Sequence, residues 1–528
     1  MWTLWSWPGK ALVAIILTGI LLLTGCGSPP AEPLAMEVSG GIVLEHSAEQ
    51  IRIRAVSPEV AIRLTGDSSG NSRVELRVEN VPADRLTGGW TSPSSDESSR
   101  MLEMEKLSPT SVQMILDGAL AEQQVNVRWD EQDLSHPLTF AVLGDNQGND
   151  DVLARIIDGI NGTDAAFLIH LGDLVPSGQE GEYDSLLEVM SVLEIPWFAV
   201  PGNHDVRGEG MAHFEQRIAP REHGFDLGGY QFLFMDTSSL NMTERQLSWL
   251  EEQLGSQRET LLFMHCPPTD PRGRSHSFLD PAMGVAFLEQ VTDPDNGIRG
   301  LFTGHIHMFH HDEVAGMTRV VSGGAGARLY AAEDEGGFHH YALVTLGETL
   351  EVAAHPVEAP PRSTDLVVTG REDDLVLTRE ELLAMATVER EGQFQNVHGN
   401  FRSEGTYRGV PIKDLADLVG GMEPGDRLRV HSWDGYRQDF PYENVVPEAF
   451  GWYEYQGDMV LAVTYNGAGL PEWEEGYRLA FLPEDGVYDN EDLLRTSLPG
   501  EGGHVYLSAG ARWVRMVNRL EVIPWNSQ

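Results

Sequence analysis

The stretch LTFAVLGDNQGND, residues 138–150, ends an apolar run abruptly in a carboxylate. The run 138–143 has the length and composition of one buried strand, and a glycine and Asp145 follow it directly. Gln147 comes two residues later. A short apolar run bounded by turn residues is consistent with a buried strand of an α/β sheet. An acid and an amide at the end of such a strand predict a polar site at that point.

Four further apolar runs of the same segment also end in polar side chains. They are AAFLIHLGDLV, WFAVPGNHD, TLLFMHCPP and GLFTGHIH. Because open α/β sheets place their sites at the carboxyl ends of strands, we expect the five strand ends to converge in one crevice. Carboxylate, imidazole and amide groups are all metal ligands, so this crevice is expected to hold metal. The candidates that these four runs deliver are Asp173, Asn203, His204, Asp205, His265, His305 and His307.

The ordered series resembles the calcineurin-like metallophosphoesterases, whose motifs are GDxH, GDxx, GNH[DE], an isolated His and GHxH. The resemblance covers residues 137–357. It implies a central α/β double-sheet sandwich that holds two divalent metal ions, manganese, iron or zinc. The ligands implied for the first metal are Asp145, Gln147, Asp173 and His307. The ligands implied for the second are Asp173, which bridges, and Asn203, His265 and His305. By the same resemblance His204 faces the substrate and Asp205 orients it.

Gln147 departs from this motif series, which has histidine at its position. An amide oxygen is a neutral and weaker donor than an imidazole nitrogen. The first metal is therefore expected to be bound more loosely, to be a harder ion, or to reach Gln147 through water.

The first 26 residues read as a lipoprotein leader. An apolar run of signal-peptide length follows Lys10, too short for a comfortable membrane span. It ends in LTGC, which resembles the lipobox of bacterial and archaeal lipoproteins. This implies a lipid on Cys26, attachment to a membrane and an extracytoplasmic location; an uncleaved N-terminal anchor is the alternative. The only other cysteine is Cys266, so a disulfide framework is excluded.

Two flanking segments complete a multidomain α+β chain. Residues 35–135 alternate apolar and polar side chains with period two, which predicts a small β-sandwich-like domain. Residues 365–528 contain GTYRGVPIKDLADLVGG and HSWDGYRQDFPYENV, which resemble the molybdopterin-binding domain of sulfite oxidase-type oxidoreductases. The family ligates molybdenum through a cysteine, and this segment has none. We therefore expect the fold without molybdopterin.

The net charge of the chain argues against one class of partner. With 36 basic and 81 acidic residues the formal net charge is −45, which argues against nucleic acid as a partner. The leading hypothesis is metal-dependent hydrolysis of a phosphate mono- or diester by a metal-activated water, outside the cytoplasm. The alternatives are a cell-surface binding lipoprotein with an inactive phosphoesterase domain and a molybdopterin-dependent oxidoreductase.

Overall fold

The computed structural model describes residues 35–65, 72–91, 100–118, 123–254, 258–359, 363–371, 373–433, 435–473 and 475–525. The predicted leader and its Cys26 lie outside these ranges. None of the helices within them is both long and apolar enough to cross a bilayer.

The N-terminal part, residues 35–129, consists of two five-stranded sheets in the orders β1-β4-β10-β6-β7 and β2-β3-β5-β9-β8. Alternate residues of the strands point inward, as Ile62 on one sheet and Leu76 on the other do, and they share one core. The strands are β1 Ala35–Ser39, β2 Gly41–His46, β3 Gln50–Ala55, β4 Glu59–Thr65, β5 Ser72–Glu79, β6 Leu86–Thr91, β7 Arg100–Met101, β8 Glu105–Ser108, β9 Ser111–Gly118 and β10 Gln124–Trp129.

The middle part, residues 138–356, has two facing sheets. Its strands are β11 Leu138–Leu143, β12 Leu168–His170, β13 Trp197–Ala199, β14 His223–Leu227, β15 Tyr230–Met235, β16 Glu259–Met264, β17 Ile298–Thr303, β18 Phe309–Val314, β19 Met317–Ser322, β20 His340–Leu346 and β21 Leu350–Pro356. Its helices are α1 Asp150–Asn161, α2 Glu180–Met190, α3 Gly210–Arg217, α4 Glu244–Leu254 and α5 Pro281–Val291.

The two sheets of the middle part run in the orders β13-β12-β11-β20-β21 and β14-β15-β16-β17-β19-β18. A phenylalanine-rich core fills the space between them, where Phe140 of the first sheet lies 6.1 Å from Phe263 of the second, ring centre to ring centre. Helices α1 to α3 pack on the outer face of the first sheet, and α4 and α5 pack on the second. Strands β11, β12 and β13 are mutually parallel, as are β15, β16 and β17.

The C-terminal part, residues 366–523, again has two sheets around one core. Their orders are β23-β22-β32-β26-β27 and β29-β28-β25-β24-β31, with β30 pairing to β28. The strands are β22 Leu366–Thr369, β23 Asp374–Leu377, β24 Val388–Gln395, β25 Phe401–Pro411, β26 Arg427–Ser432, β27 Arg437–Pro441, β28 Asp458–Tyr465, β29 Ala468–Gly469, β30 Arg478–Leu482, β31 Val487–Tyr488 and β32 Val517–Ile523. The helices are α6 Arg379–Met385, α7 Ile412–Asp417, α8 Tyr442–Val445, α9 Tyr453–Gln456 and α10 Asn490–Arg495.

The N-terminal and middle parts are joined by buried polar contacts. The guanidinium of Arg54 donates to the carbonyl oxygens of Ile218 and Trp197, both at 3.1 Å, and stacks over the Trp197 ring. The Asn80 side chain exchanges two 2.8 Å hydrogen bonds with the Trp197 backbone. Trp197 is the first residue of β13, so this junction lies at the amino end of that strand.

Candidate metal centre

Five strands deliver the candidate side chains from one edge of the two facing sheets. Strands β11, β12 and β13 end just before Asp145, Asp173 and Asn203. Strands β16 and β17 end just before His265 and His305. Because the strands within each set are parallel, these residues share the carboxyl edge, as the sequence predicts.

The centre of the cluster is formed by Asp145, Asp173 and His265. All three are buried, and one ligand atom of each lies within 4.8 Å of the others. His265 Nε2 is 3.4 Å from Asp173 Oδ1. Two carboxylates and an imidazole packed this closely are a donor set that suits a divalent transition metal.

Gln147 and His307 extend this cluster on the Asp145 side. His307 Nε2 lies 3.4 Å from Asp145 Oδ1 and 3.4 Å from Gln147 Nε2. Gln147 Nε2 also donates to Asp173 Oδ2 at 2.8 Å. The structure thus brings together the set implied for the first metal. With this amide orientation Gln147 donates to a carboxylate, and a half-turn of the amide presents its oxygen instead.

Asn203 and His305 extend the cluster on the other side. His265 Nε2 lies 3.1 Å from Asn203 Oδ1 and 3.2 Å from His305 Nδ1. The group implied for the second metal is therefore also assembled. Asp173 belongs to both groups, since its Oδ1 faces His265 and its Oδ2 faces Gln147.

Backbone carbonyls orient two of the imidazoles toward the cluster. His265 Nδ1 lies 2.8 Å from the Leu171 oxygen, and His307 Nδ1 lies 2.7 Å from the Arg328 oxygen. A carbonyl oxygen can only accept, so each Nδ1 carries the hydrogen and each Nε2 presents a lone pair to the site. This tautomer is the one that binds metal through Nε2.

The charges of the cluster also fit a cation. Burial raises the pKa of Asp145 well above its ordinary value. Burial acts in the same direction on Asp173, but the neighbouring histidines, His265 foremost, outweigh it and lower the pKa of that carboxyl. Burial lowers the pKa of His305 to about 3, so this ring is neutral. The ionised Asp173 carboxylate, buried within the cluster, carries negative charge that a divalent cation would neutralise.

His204 lies beside this cluster, and the carboxylate of the adjacent Asp205 contacts backbone. His204 Nε2 is 3.9 Å from Asp173 Oδ2, and its Nδ1 lies 2.7 Å from the Pro176 oxygen. The buried Asp205 carboxylate instead accepts from the backbone N–H groups of Gly202 and Val175. The Asp205 carboxylate thus holds two turns of backbone, and its role in orienting His204 stays a prediction.

Four of the site residues adopt the left-handed backbone region. The φ angles are 65° for Asp145, 45° for Gln147, 52° for Asp173 and 64° for His305. Aspartate and histidine adopt this region more readily than most residues, whereas glutamine has no such preference. The site is thus built on strained backbone, which is a recurrent property of functional sites.

The segment 323–330 passes along this cluster, and sequence reasoning missed it. The backbone N–H of Ala327 in this segment donates to the carbonyl oxygen of Asp145 at 2.9 Å. The N–H of Tyr330 donates to the carbonyl oxygen of His307 at 3.0 Å. The Tyr330 ring stacks on His307 with centroids 4.1 Å apart. A Cβ at Gly323 would lie 2.8 Å from Asp145 Oδ2. The sequence feature that could have indicated this segment is the glycine-rich run GGAGARLY, because glycine lets the backbone approach a ligand-bearing side chain closely.

Comparison with known proteins finds a family match for one segment of the chain. Residues 138–309 match the family model of the calcineurin-like phosphoesterases. The chain therefore contains a calcineurin-like phosphoesterase domain over these residues, as its motifs predict. The C-terminal resemblance to molybdopterin-binding domains stays a prediction.

Three curated relatives are similar to part of this chain. A probable cyclic nucleotide phosphodiesterase of Fibrobacter succinogenes is 26% identical over 152 residues, 27% of this chain and 58% of that protein. A glycerophosphodiester phosphodiesterase of Enterobacter lignolyticus is 28% identical over 186 residues, 32% of this chain and 64% of that protein. A probable cyclic nucleotide phosphodiesterase of Rhodopseudomonas palustris is 31% identical over 162 residues, 27% and 57% of the two chains. The matches thus span less than two thirds of each relative.

Proposed function

We propose that this chain is a metal-dependent phosphoric ester hydrolase that acts on a phosphate mono- or diester. The observation that carries the proposal is the position of Asp173 between two groups of ligand atoms. Its Oδ2 faces Gln147 at 2.8 Å, and its Oδ1 faces His265 at 3.4 Å. A carboxylate shared in this way is what a pair of neighbouring cations requires.

The side chains of the centre divide the chemistry as follows. Bound divalent cations would neutralise the charge of the phosphoryl group and acidify water, which is what lets such sites work without a covalent intermediate. The protein holds the imidazoles in one tautomer through the Leu171 and Arg328 carbonyls. His204, which is oriented by the Pro176 carbonyl, is placed to hydrogen-bond to the ester or to its leaving oxygen.

A phosphodiester is the substrate class that the relatives favour. Two of the similar proteins are named as cyclic nucleotide phosphodiesterases and one as a glycerophosphodiester phosphodiesterase. The substrates in these names share a phosphodiester linkage and differ in the alcohol that is esterified. We therefore place diesters ahead of monoesters and leave the alcohol open.

The decisive experiment is a turnover screen of the metal-free mature chain against aryl phosphate, aryl phosphodiester, cyclic nucleotide and glycerophosphodiester substrates, with Mn²⁺, Fe²⁺ or Zn²⁺ added separately. The matched variants are His307→Gln and His310→Gln. His307 lies in the cluster, whereas His310 is on β18, where its Nε2 lies 3.1 Å from Asp312 Oδ2. We expect metal-dependent turnover that His307→Gln removes and His310→Gln retains. Absence of turnover with every metal and ester would favour the alternative of a binding protein with an inactive domain.

The cellular location is proposed from the leader alone. The LTGC motif supports lipidation of Cys26 and an extracytoplasmic, membrane-anchored protein. Expression of the full chain and of Cys26→Ser, followed by membrane fractionation and mass spectrometry of the N-terminus, tests this. We expect a diacylglyceryl-modified Cys26 in the membrane fraction and its loss in the variant.

The C-terminal part is proposed to have the molybdopterin-domain fold without the cofactor. The motifs quoted above support the fold, and the lack of a cysteine after Cys266 argues against ligation of molybdenum. Elemental analysis of the protein from a molybdenum-replete host tests this. Stoichiometric molybdenum would instead support the oxidoreductase alternative.

A further inference from the structure

A turn of the C-terminal part lies directly against the loop that carries Asp145 and Gln147. This β26–β27 turn consists of Ser432, Trp433, Gly435 and Tyr436 within the described residues, and it joins β26 to the edge strand β27 of the same sheet. Gly435 has a φ of +81°, and a Cβ built on it would lie 2.0 Å from the Gln147 carbonyl oxygen. Such an approach is possible only for a residue without a side chain.

The β26–β27 turn is firmly attached to its own sheet. The Ser432 N–H donates to the Tyr436 oxygen at 2.9 Å, and the Gly435 N–H donates to the Ser432 oxygen at 3.0 Å. The Trp433 N–H donates to the Met516 oxygen at 2.9 Å. The turn is therefore a fixed surface against which the Gln147 loop is packed.

Gln147 is held from the opposite side by the centre itself. Its N–H donates to the Asp173 carbonyl oxygen at 3.0 Å, while its side chain donates to the Asp173 carboxylate. Its left-handed backbone, with φ of 45°, would be relieved if the loop could relax. Gly435 lies directly against the Gln147 carbonyl and limits movement of the loop on that side.

Strand β26 also contacts a second loop beside the site. Arg429 on β26 donates to the Gln179 side-chain oxygen at 3.3 Å. Gln179 closely follows Pro176, whose carbonyl oxygen lies 2.7 Å from His204 Nδ1. A Cβ at Gly148 would lie 3.1 Å from the Pro176 ring, so the two loops also touch each other.

We infer that the β26–β27 turn positions Gln147, which makes the C-terminal part a component of the metal centre and Gly435 a positioning residue. Among the glycines of the C-terminal part, Gly435 is the one whose missing side chain admits the Gln147 backbone. The inference concerns the binding of metal by this chain, and only its kinetic readout rests on the proposed hydrolase function.

The test is Gly435→Ala in the full chain, with Gly451→Ala and Gly467→Ala as matched controls. The three glycines have similar φ angles of +81°, +70° and +80°, but a Cβ at Gly451 or Gly467 meets nothing within 4 Å. All three variants therefore carry the same backbone strain, and only one carries the clash. The measurements are Mn²⁺ affinity of the metal-free protein by titration calorimetry, and kcat and KM for any ester that the wild type hydrolyses.

We expect Gly435→Ala to weaken the looser Mn²⁺ site by about ten-fold or more, as loss of a side chain that supports a ligand typically does. The controls should stay within about two-fold, since their strain acts on folding and not on the site. Equal Mn²⁺ affinities for Gly435→Ala and the controls would overturn the inference. If the wild type binds Mn²⁺ but hydrolyses no ester, the proposed function fails while the affinities still decide the positioning role.

Two further variants keep the test decisive if Gly435→Ala folds poorly or acts indirectly. Gly435→Asn retains the obstructing Cβ but tolerates the left-handed backbone better, so it should fold and still bind Mn²⁺ weakly. Combining Gly435→Ala with Gln147→Ala should give no further loss of affinity, because the turn acts through Gln147. Wild-type affinity in Gly435→Asn, or losses that simply add in the double variant, would contradict the inference.

Discussion

The two flanking parts of the chain contact the phosphoesterase domain at opposite ends of its parallel strands. The N-terminal part is bound at Trp197, where β13 begins, through Arg54 and Asn80. The C-terminal part packs at Gln147, just beyond the end of β11. The site of such a sheet lies at its carboxyl edge. The contact of the N-terminal part can therefore stabilise the protein, whereas the contact of the C-terminal part can also change the site. The end of the strand at which a contact lies thus decides whether that contact can affect the site.

The largest effect is expected from removing Asp173, the residue shared by both halves of the centre. Asp173→Ala should reduce turnover by more than the roughly 100-fold that loss of a side chain supporting a metal ligand costs. Bound metal, measured by elemental analysis after dialysis, should fall in parallel. A variant that retains both its metal content and its rate would refute the assignment of the centre.

The metal itself should distinguish the two junctions. Binding of a ligand to the folded state protects the segments that it orders. Adding Mn²⁺ to chelator-treated protein should slow amide hydrogen exchange in the loop 145–149 and in the β26–β27 turn. Exchange in β3 and at Trp197 should change little. Mass spectrometry of peptic fragments measures the exchange. Equal protection at both junctions would contradict the claim that only the C-terminal junction is linked to the metal centre.

The N-terminal junction should affect stability and leave the reaction unchanged. Arg54→Met removes a buried guanidinium and leaves the Ile218 carbonyl unpaired, which should lower the free energy of unfolding by about 1–3 kcal/mol. Chemical denaturation measures this, with Arg73→Met at an exposed position of β5 as the control. The kcat of Arg54→Met under folding conditions should equal that of the wild type. A large fall in kcat would show that this junction also reaches the site.

The smallest effect is expected at Gln147 itself. Gln147→His replaces an amide oxygen by a stronger nitrogen donor, so Mn²⁺ affinity should stay equal or become moderately tighter. Titration calorimetry beside the Gly435 variants makes the test. A loss of affinity in Gln147→His would mean that the β26–β27 turn fits the loop only when glutamine is present.

The sequence predicts the local part of this architecture and misses the part that depends on distant contacts. Each candidate ligand follows an apolar run directly, so its place at a strand end can be inferred from its neighbours, and the cluster of Asp145, Asp173 and His265 agrees with that inference. The backbone contacts of Asp205 could not be inferred, because nothing local tells which of two adjacent side chains turns toward backbone. The contact of Gly435 with Gln147 joins two segments that are far apart in the sequence, and no pattern within either segment predicts it.

The left-handed backbone of Asp145, Gln147, Asp173 and His305 has an evolutionary consequence. Each such residue costs the folded state roughly 1–3 kcal/mol that a glycine would recover. Selection for heat resistance alone should therefore replace these residues early, Gln147 before the others, and produce hardier proteins that have lost their metal. Selection for turnover retains this loss of stability, which leaves the protein less stable than its packed cores would otherwise allow.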